Sequence, residues 1–201
     1  MSNICTLADV KQRLAIEGKN EYDDMISRII LGVESKFDSE TGRRLVAPAE
    51  AAAEYYTGCG AYLQLTSYPV VEIVSVKESY SYDFDNEVAL TANDHYRSVK
   101  GGKNGVLFRV GSRWLGIEDG IEIVHRSGYC AADAIPGANE HALPDDLREA
   151  AIEQACFIFK RRDDIGLASV GFEGGSMQKF SAMNLLPFVK DVLNNYERPP
   201  L

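Results

Sequence analysis

The sequence is poor in the residues that most often carry chemistry. Its 201 residues include three histidines, four cysteines and one tryptophan. Cys5, Cys59, Cys130 and Cys156 stand 54, 71 and 26 residues apart. That spacing fits neither a redox CxxC pair nor a zinc knuckle, and scattered thiols of this kind read as reduced cysteines. His95, His125 and His141 belong to no metalloprotease or zinc-finger pattern. Gly101-Gly102-Lys103 lacks the Ser or Thr and the helix that must follow in a phosphate loop, and no G-x-S-x-G elbow is present. Long apolar runs are missing as well: none nears the ~20 residues of a membrane span. Met1 to Cys5 has neither the basic nor the apolar part of a signal peptide. The expectation is a chain with no cofactor, no metal and no membrane partner.

Basic charge is also scarce. Lys plus Arg number 21 against 30 for Asp plus Glu, a net of −9. A protein that grips nucleic acid usually presents a basic face, so tight DNA binding is not expected. The deficit is even: residues 1–53 carry 7 basic and 9 acidic groups, 54–129 carry 7 and 10, and 130–201 carry 7 and 11. No segment reads as a basic arm. What is present is ordinary globular composition, 45% hydrophobic and 25% charged.

Three zones follow from periodicity. In 1–53, Thr6 and Asp9 form a capping-box pattern ahead of Leu7, Val10 and Leu14, a stripe ending at Gly18. A second helix starts near Asn20 and places Ile26, Ile29, Ile30, Val33 and Phe37 at three- and four-residue steps, with Gly42 as its stop. In 54–129 the period changes. Glu54–Thr57 and Ala61–Leu65 around Gly58-Cys59-Gly60 predict a hairpin. Further strands are expected at Val70–Lys77, Glu87–Leu90, His95–Val99, Val106–Val110 and Ile121–Arg126. In 130–201, Pro144 predicts the first position of a helix whose last turn carries Lys160, Arg161 and Arg162. A Gly/Ser-rich loop from Ile165 to Ala182 and a short helix near Leu185–Asn195 close the chain. The fold class is therefore α+β: a helical core with an inserted antiparallel β-sheet or small barrel.

The remaining candidates for chemistry have plainer readings. Asp23-Asp24, Asp145-Asp146 and Asp163-Asp164 are adjacent pairs, whose side chains on a helix diverge by ~100° and do not converge on a substrate. Asp83-Phe84-Asp85-Asn86 lacks the glycine and terminal glutamate of a calcium loop and reads as an acidic, exposed turn. Tyr55, Tyr56, Tyr62, Tyr68, Tyr80 and Tyr82 crowd a zone that sums to −3, so packing accounts for them better than base stacking does. Glu140, His141 and Asp145 are the one set a small metal-assisted hydrolase could use, although a solvated loop before a helix is the simpler reading.

The order of the pieces resembles the head–tail connector (neck adaptor) proteins of tailed bacteriophages. The residues that carry the resemblance are Leu7-Ala8-Asp9-Val10-Lys11, the long second helix ending Thr41-Gly42-Arg43, and Tyr56-Thr57-Gly58. Leu63-Gln64-Leu65, Tyr68-Pro69-Val70-Val71 and Val74-Ser75-Val76 continue it. Ile121 to Arg126 runs into Gly128-Tyr129, then come Ile135-Pro136 and the Pro-led helix Leu143-Pro144-Asp145-Asp146-Leu147. It spans about residues 6–197.

The resemblance implies a structural virion protein without enzymatic activity. It would be made in a host bacterial cytoplasm and be located at the virion neck. It would form a ring, commonly a dodecamer, docked on the portal protein after DNA packaging and receiving a stopper or tail-completion protein on its other face. Double-stranded DNA would pass through without specific binding. The C-terminal segment would reach the portal, which singles out Leu186, Phe188, Val189, Leu193, Tyr196 and Arg198, the plainer reading being that this last helix packs on the Pro144 helix. The long loop would contact neighbouring subunits or a docking partner through Gly166, Gly171, Phe172, Gly174, Gly175 and Met177. Its Gly166–Ser176 stretch would order on assembly. The sheet zone is larger than in the smallest, almost wholly helical members, so no interface is carried over to it. A stopper or tail-completion protein of the same neck is the rival within this class.

Overall fold

A computed structural model describes residues 4–162, 169–171, 177–179 and 185–198. The helices follow local chemistry closely. Helix α1 (Leu7–Leu14) opens on the expected capping box: Asp9 N–H donates to Thr6 Oγ1 at 3.1 Å and Thr6 N–H to Asp9 Oδ2 at 3.0 Å. It ends at Ala15, left-handed at φ 54, before the stripe reaches Gly18. A 3-10 turn over Asn20–Tyr22 leads into α2 (Asp23–Thr41), which buries Ile26, Ile30, Val33 and Phe37. Gly42, at φ 65, stops it. Helix α3 (Asp145–Lys160) begins one residue after Pro144 and buries a broad face that includes Leu147, Ala151 and Phe159. Helix α4 (Pro187–Asn194) has its own proline in the first turn.

The four helices enclose one core around Phe37, Ile30, Leu147, Ala155, Val189 and Leu193. Burying so wide a face of α3 requires neighbours on several sides, and α1, α2 and α4 all pack on it.

The middle of the chain forms two three-stranded antiparallel sheets and no closed barrel. The first joins β1 (Ala52–Tyr56), β6 (Ile121–Ser127) and β3 (Val70–Glu78), with β6 central. The second joins β2 (Tyr62–Gln64), β5 (Val106–Arg109) and β4 (Tyr96–Ser98), with β5 central. The inner faces of both contribute to a second core, in which Val76, Ile121 and Ile123 meet Leu63, Tyr96 and Leu107.

Two expectations are corrected here. First, β1 and β2 do not pair as a hairpin; they belong to different sheets. Gly58 carries the chain from one sheet to the other under Trp114, so closely that a Cβ would lie 2.4 Å from the Leu115 carbonyl. Second, Glu87–Leu90 is not a strand. The acidic 79–95 connection is a long loop that touches β3 through the Leu90 N–H, 2.7 Å from the Val76 carbonyl.

The sheets are joined to the helical core at Tyr129. Val46 and Tyr129 form a parallel bridge, with Ala47 N–H donating to the Tyr129 carbonyl at 2.8 Å and Tyr129 N–H to the Leu45 carbonyl at 2.7 Å. Within the expected Ile165–Ala182 loop, β7 (Ser169–Gly171) and β8 (Met177–Lys179) pair antiparallel.

Candidate assembly surfaces

The C-terminal segment is positioned by buried polar side chains. Gln154, almost fully buried on α3, accepts the Leu186 N–H at 3.0 Å and so caps the start of α4. Past the helix, Arg43 Nε donates to the Tyr196 carbonyl at 2.9 Å, and Arg198 N–H donates to the Thr41 carbonyl at 2.9 Å. The Tyr196 hydroxyl donates to Asp146 Oδ1 at 2.7 Å, and burial together with that carboxylate raises its pKa.

These contacts sort the residues expected to reach the portal. Val189 and Leu193 face inward and are buried in the helical core, with Leu186 and Tyr196 half-buried at its margin. Phe188 points the other way and is 52% exposed. Arg198 is half-buried. Of the loop residues, Gly171 and Met177 stand opposite each other in the β7–β8 ladder. Gly166, Phe172, Gly174 and Gly175 lie outside the described residues, as does most of the Gly166–Ser176 stretch.

Of the set that a hydrolase would need, Glu140 is engaged elsewhere. Glu140 Oε1 accepts from Arg126 at 2.8 Å, and Oε2 accepts from the Gly137 N–H at 2.9 Å. The Gly137 and Arg126 bonds hold this carboxyl below the usual range. Among the described residues, no three His, Cys, Asp or Glu side chains converge as a metal site, and no described helix is long and apolar enough to cross a membrane.

One polar cluster went unnoticed in the sequence. Tyr56 Oη donates to Glu54 Oε2 at 2.5 Å and lies 3.1 Å from His125 Nε2, while His125 Nδ1 lies 2.8 Å from Ser127 Oγ. Thr66 Oγ1 also donates to Glu54. Burial works to raise the Glu54 pKa, but hydrogen bonds from His125, Thr66 and Tyr56 prevail and hold it at about 2. The signal was present in β6: strand period two puts Ile121, Ile123, His125 and Ser127 on one inward face. The cluster lies where the first sheet approaches Arg43 and Arg44, and it satisfies polar groups at that joint.

The outer face of the second sheet carries a row in which Tyr62 and Arg97 are exposed and Phe108 is half-buried. Tyr62, Phe108 and Arg97 are register neighbours across β2, β5 and β4. The Tyr62 and Phe108 rings are 5.1 Å apart, and the Arg97 guanidinium lies 5.1 Å from the Phe108 ring centroid.

A helical core bearing two small three-stranded antiparallel sheets defines an α+β protein. Solved structures share this fold. A chain from the neck of the empty gene transfer agent particle, computed with C6 symmetry, is 17% identical. It superposes at a TM-score of 0.62, covering 97% of this chain and 90% of that one. A chain from the virion of the native particle is also 17% identical, at a TM-score of 0.58 over 89% of this chain and 79% of that one. A third, from the neck of the native particle computed with C12 symmetry, is 16% identical, at 0.57 over 97% and 89%. No protein-family profile and no curated protein matches the chain.

Proposed function

We propose that this chain is a structural neck protein of a phage-like particle, acting as the head–tail adaptor. It forms a ring, twelve-fold in the virion, beneath the portal. It presents its other face to a stopper or tail-completion protein and leaves a channel for double-stranded DNA. The observation that carries this reading is the extent of the fold likeness: 97% of the chain, sheets included, superposes on a chain from a particle neck. The order of sequence motifs supports the same family independently. We take 1–53 and 130–201 together as the helical unit and 54–129 as an insertion, in keeping with the two separate cores. Within the C-terminal helix, Phe188 is the side chain best placed to meet the portal, since Val189 and Leu193 are occupied by the core.

Acidity fits a conduit. Twelve copies at −9 carry −108, and a passage for DNA must avoid the phosphate contacts that give strong non-specific affinity. Negative-stain microscopy of the purified chain mixed with portal tests the proposal. The expected result is a ring stacked coaxially on the portal without any other neck protein. Binding only after another ring has docked would instead assign the chain to the stopper position.

A further inference from the structure

The even charge balance of the β region hides two adjacent blocks of opposite sign. From Glu78 to Asp94 there are five acidic residues and no basic one; from His95 to Arg113 there are five basic residues and no acidic one. Among the described residues one ion pair joins the blocks, Arg109 to Glu78 at 3.1 Å. Among the described residues, Arg97, Lys100, Lys103 and Arg113 have no carboxylate partner, and Asp83, Asp85, Glu87 and Asp94 have no cationic one. All eight are exposed.

The fold sets Asp83, Asp85 and Glu87 apart from Arg97, Lys100 and Lys103, while Asp94 stays in the turn that enters β4. Arg97 lies beside Tyr62 and Phe108 on the outer face of the β2-β5-β4 sheet, and Lys100 and Lys103 occupy the turn from β4 to β5. The acidic loop folds against the outer side of the other sheet, where the Phe84 ring meets Tyr55 at 5.5 Å and Lys77 Nζ donates to the Phe84 carbonyl at 2.7 Å. The inner faces of both sheets share one core, so the two outer faces look away from each other. Each also exposes aromatic surface: Tyr62 is 62% exposed, and Tyr80 in the loop is 78% exposed.

We propose that the outer face of the β2-β5-β4 sheet is the docking surface for the acidic 79–95 loop of a second copy of this chain. Two complementary patches that face apart make a heterologous, head-to-tail contact, the kind that closes into rings. Opposite charge steers the encounter and fixes the register, while Tyr62 and Phe108 on the face and Tyr80 and Tyr82 on the loop supply apolar area. The covered basic face is then withheld from DNA. The inference rests on the ring reading for closure, although the pairwise contact stands without it.

Charge exchange tests it. One variant reverses the face (Arg97→Glu, Lys100→Glu, Lys103→Glu) and another reverses the loop (Asp83→Lys, Asp85→Lys, Glu87→Lys). Zero-length carbodiimide coupling is run on equal mixtures of ¹⁴N and ¹⁵N protein, both free at high concentration and bound to portal. The wild type is expected to give mixed-isotope peptides joining Lys100 or Lys103 to residues 83–87. Each variant alone should lose them altogether, because carbodiimide joins a carboxylate to an amine and each reversed patch then meets only its own kind, so the decisive readout is recovery on mixing. The two variants mixed, or both reversals in one chain, should recover them, which also shows that the variants fold. Absence of the wild-type cross-links, or failure of the mixed variants to recover coupling between positions 100 or 103 and 83–87, overturns the contact. So does duplex DNA that binds the face at low salt and suppresses coupling. Rings on the portal formed by either single-reversal variant alone would refute this contact and leave the neck reading intact. Charge-dependent coupling without any ring on the portal would support the contact and refute the neck reading.

Discussion

The Arg43 guanidinium sits 3.6 Å from the centroid of the Tyr68 ring and donates to the Tyr68 carbonyl at 2.5 Å. Its Nε reaches the Tyr196 carbonyl at 2.9 Å. One buried side chain, placed just past the Gly42 stop, thereby fastens α2, the entry to β3 and the C-terminal segment. Arg43→Met keeps much of the apolar stem but strips two carbonyls of their donor. We expect a loss of about 2–4 kcal/mol in urea unfolding, with Arg43→Lys recovering part of it through a single bond. Hydrogen exchange at the Arg198 amide should accelerate in both variants. A stability change under about 0.5 kcal/mol would show that the clamp is not a principal fastening.

Gly128 explains the Gly-Tyr dipeptide at the end of the sheet. Its φ is +129, and a Cβ there would lie 2.5 Å from the Ala47 nitrogen, where the sheet meets the helical core. Gly128→Ala combines an unfavourable backbone conformation with a backbone clash, so the expected loss is about 2–4 kcal/mol. Gly18→Ala is the control, because nothing lies within 4 Å of the position its Cβ would take. Its midpoint should move little. Equal thermal shifts in the two variants would rule out the close approach as the reason for glycine at 128.

Local chemistry was readable in the sequence, and long-range partnership was not. Thr6, Asp9, Gly42 and the Ile26–Phe37 stripe marked helix boundaries and buried faces because caps and periodicity act within a few residues. Strand positions such as Ile121–Ser127 were also clear from alternation. Their pairing was not, since β1 and β2 are separated by a crossing that depends on Trp114 packing over Gly58, 56 residues away. The α4 stripe announced that Val189 and Leu193 would be buried, without saying whether against this chain or a partner. The charge blocks were missed for a simpler reason: a sum over 54–129 averages Asp83, Asp85 and Glu87 against Arg97, Lys100 and Lys103.

The Glu54 cluster should make the sheet joint sensitive to acid. Its folded pKa, about 2 against an ordinary 4.5, is lowered. The contribution is therefore complete above 4.5 and disappears as pH falls through about 2. Each unit is worth ~1.4 kcal/mol, but the side chain is 36% exposed and solvent screens it. We expect Glu54→Gln to cost about 1–2 kcal/mol at neutral pH, with the gap to wild type closing as pH drops from 5 toward 2. Urea unfolding across that range measures it, and a gap independent of pH would show that the carboxylate charge is not what stabilises the cluster.

Phe188 and Val189 are neighbours in sequence with opposite surroundings: the first is 52% exposed and the second fully buried. Substitution of each by aspartate separates portal binding from folding. Val189→Asp places an unpaired carboxylate in the helical core and should unfold the chain or cost several kcal/mol, so any binding defect it shows is uninformative. Phe188→Asp removes apolar surface only from the solvent side and should leave stability within about 0.5 kcal/mol. If Phe188 inserts into the portal as a buried aromatic anchor, the same change should weaken portal binding by at least about tenfold, since anchors of that type commonly carry ~2 kcal/mol or more. Titration of the folded Phe188→Asp chain against portal rings decides the matter. Unaltered affinity with unaltered stability would move the portal contact away from the outer side of α4.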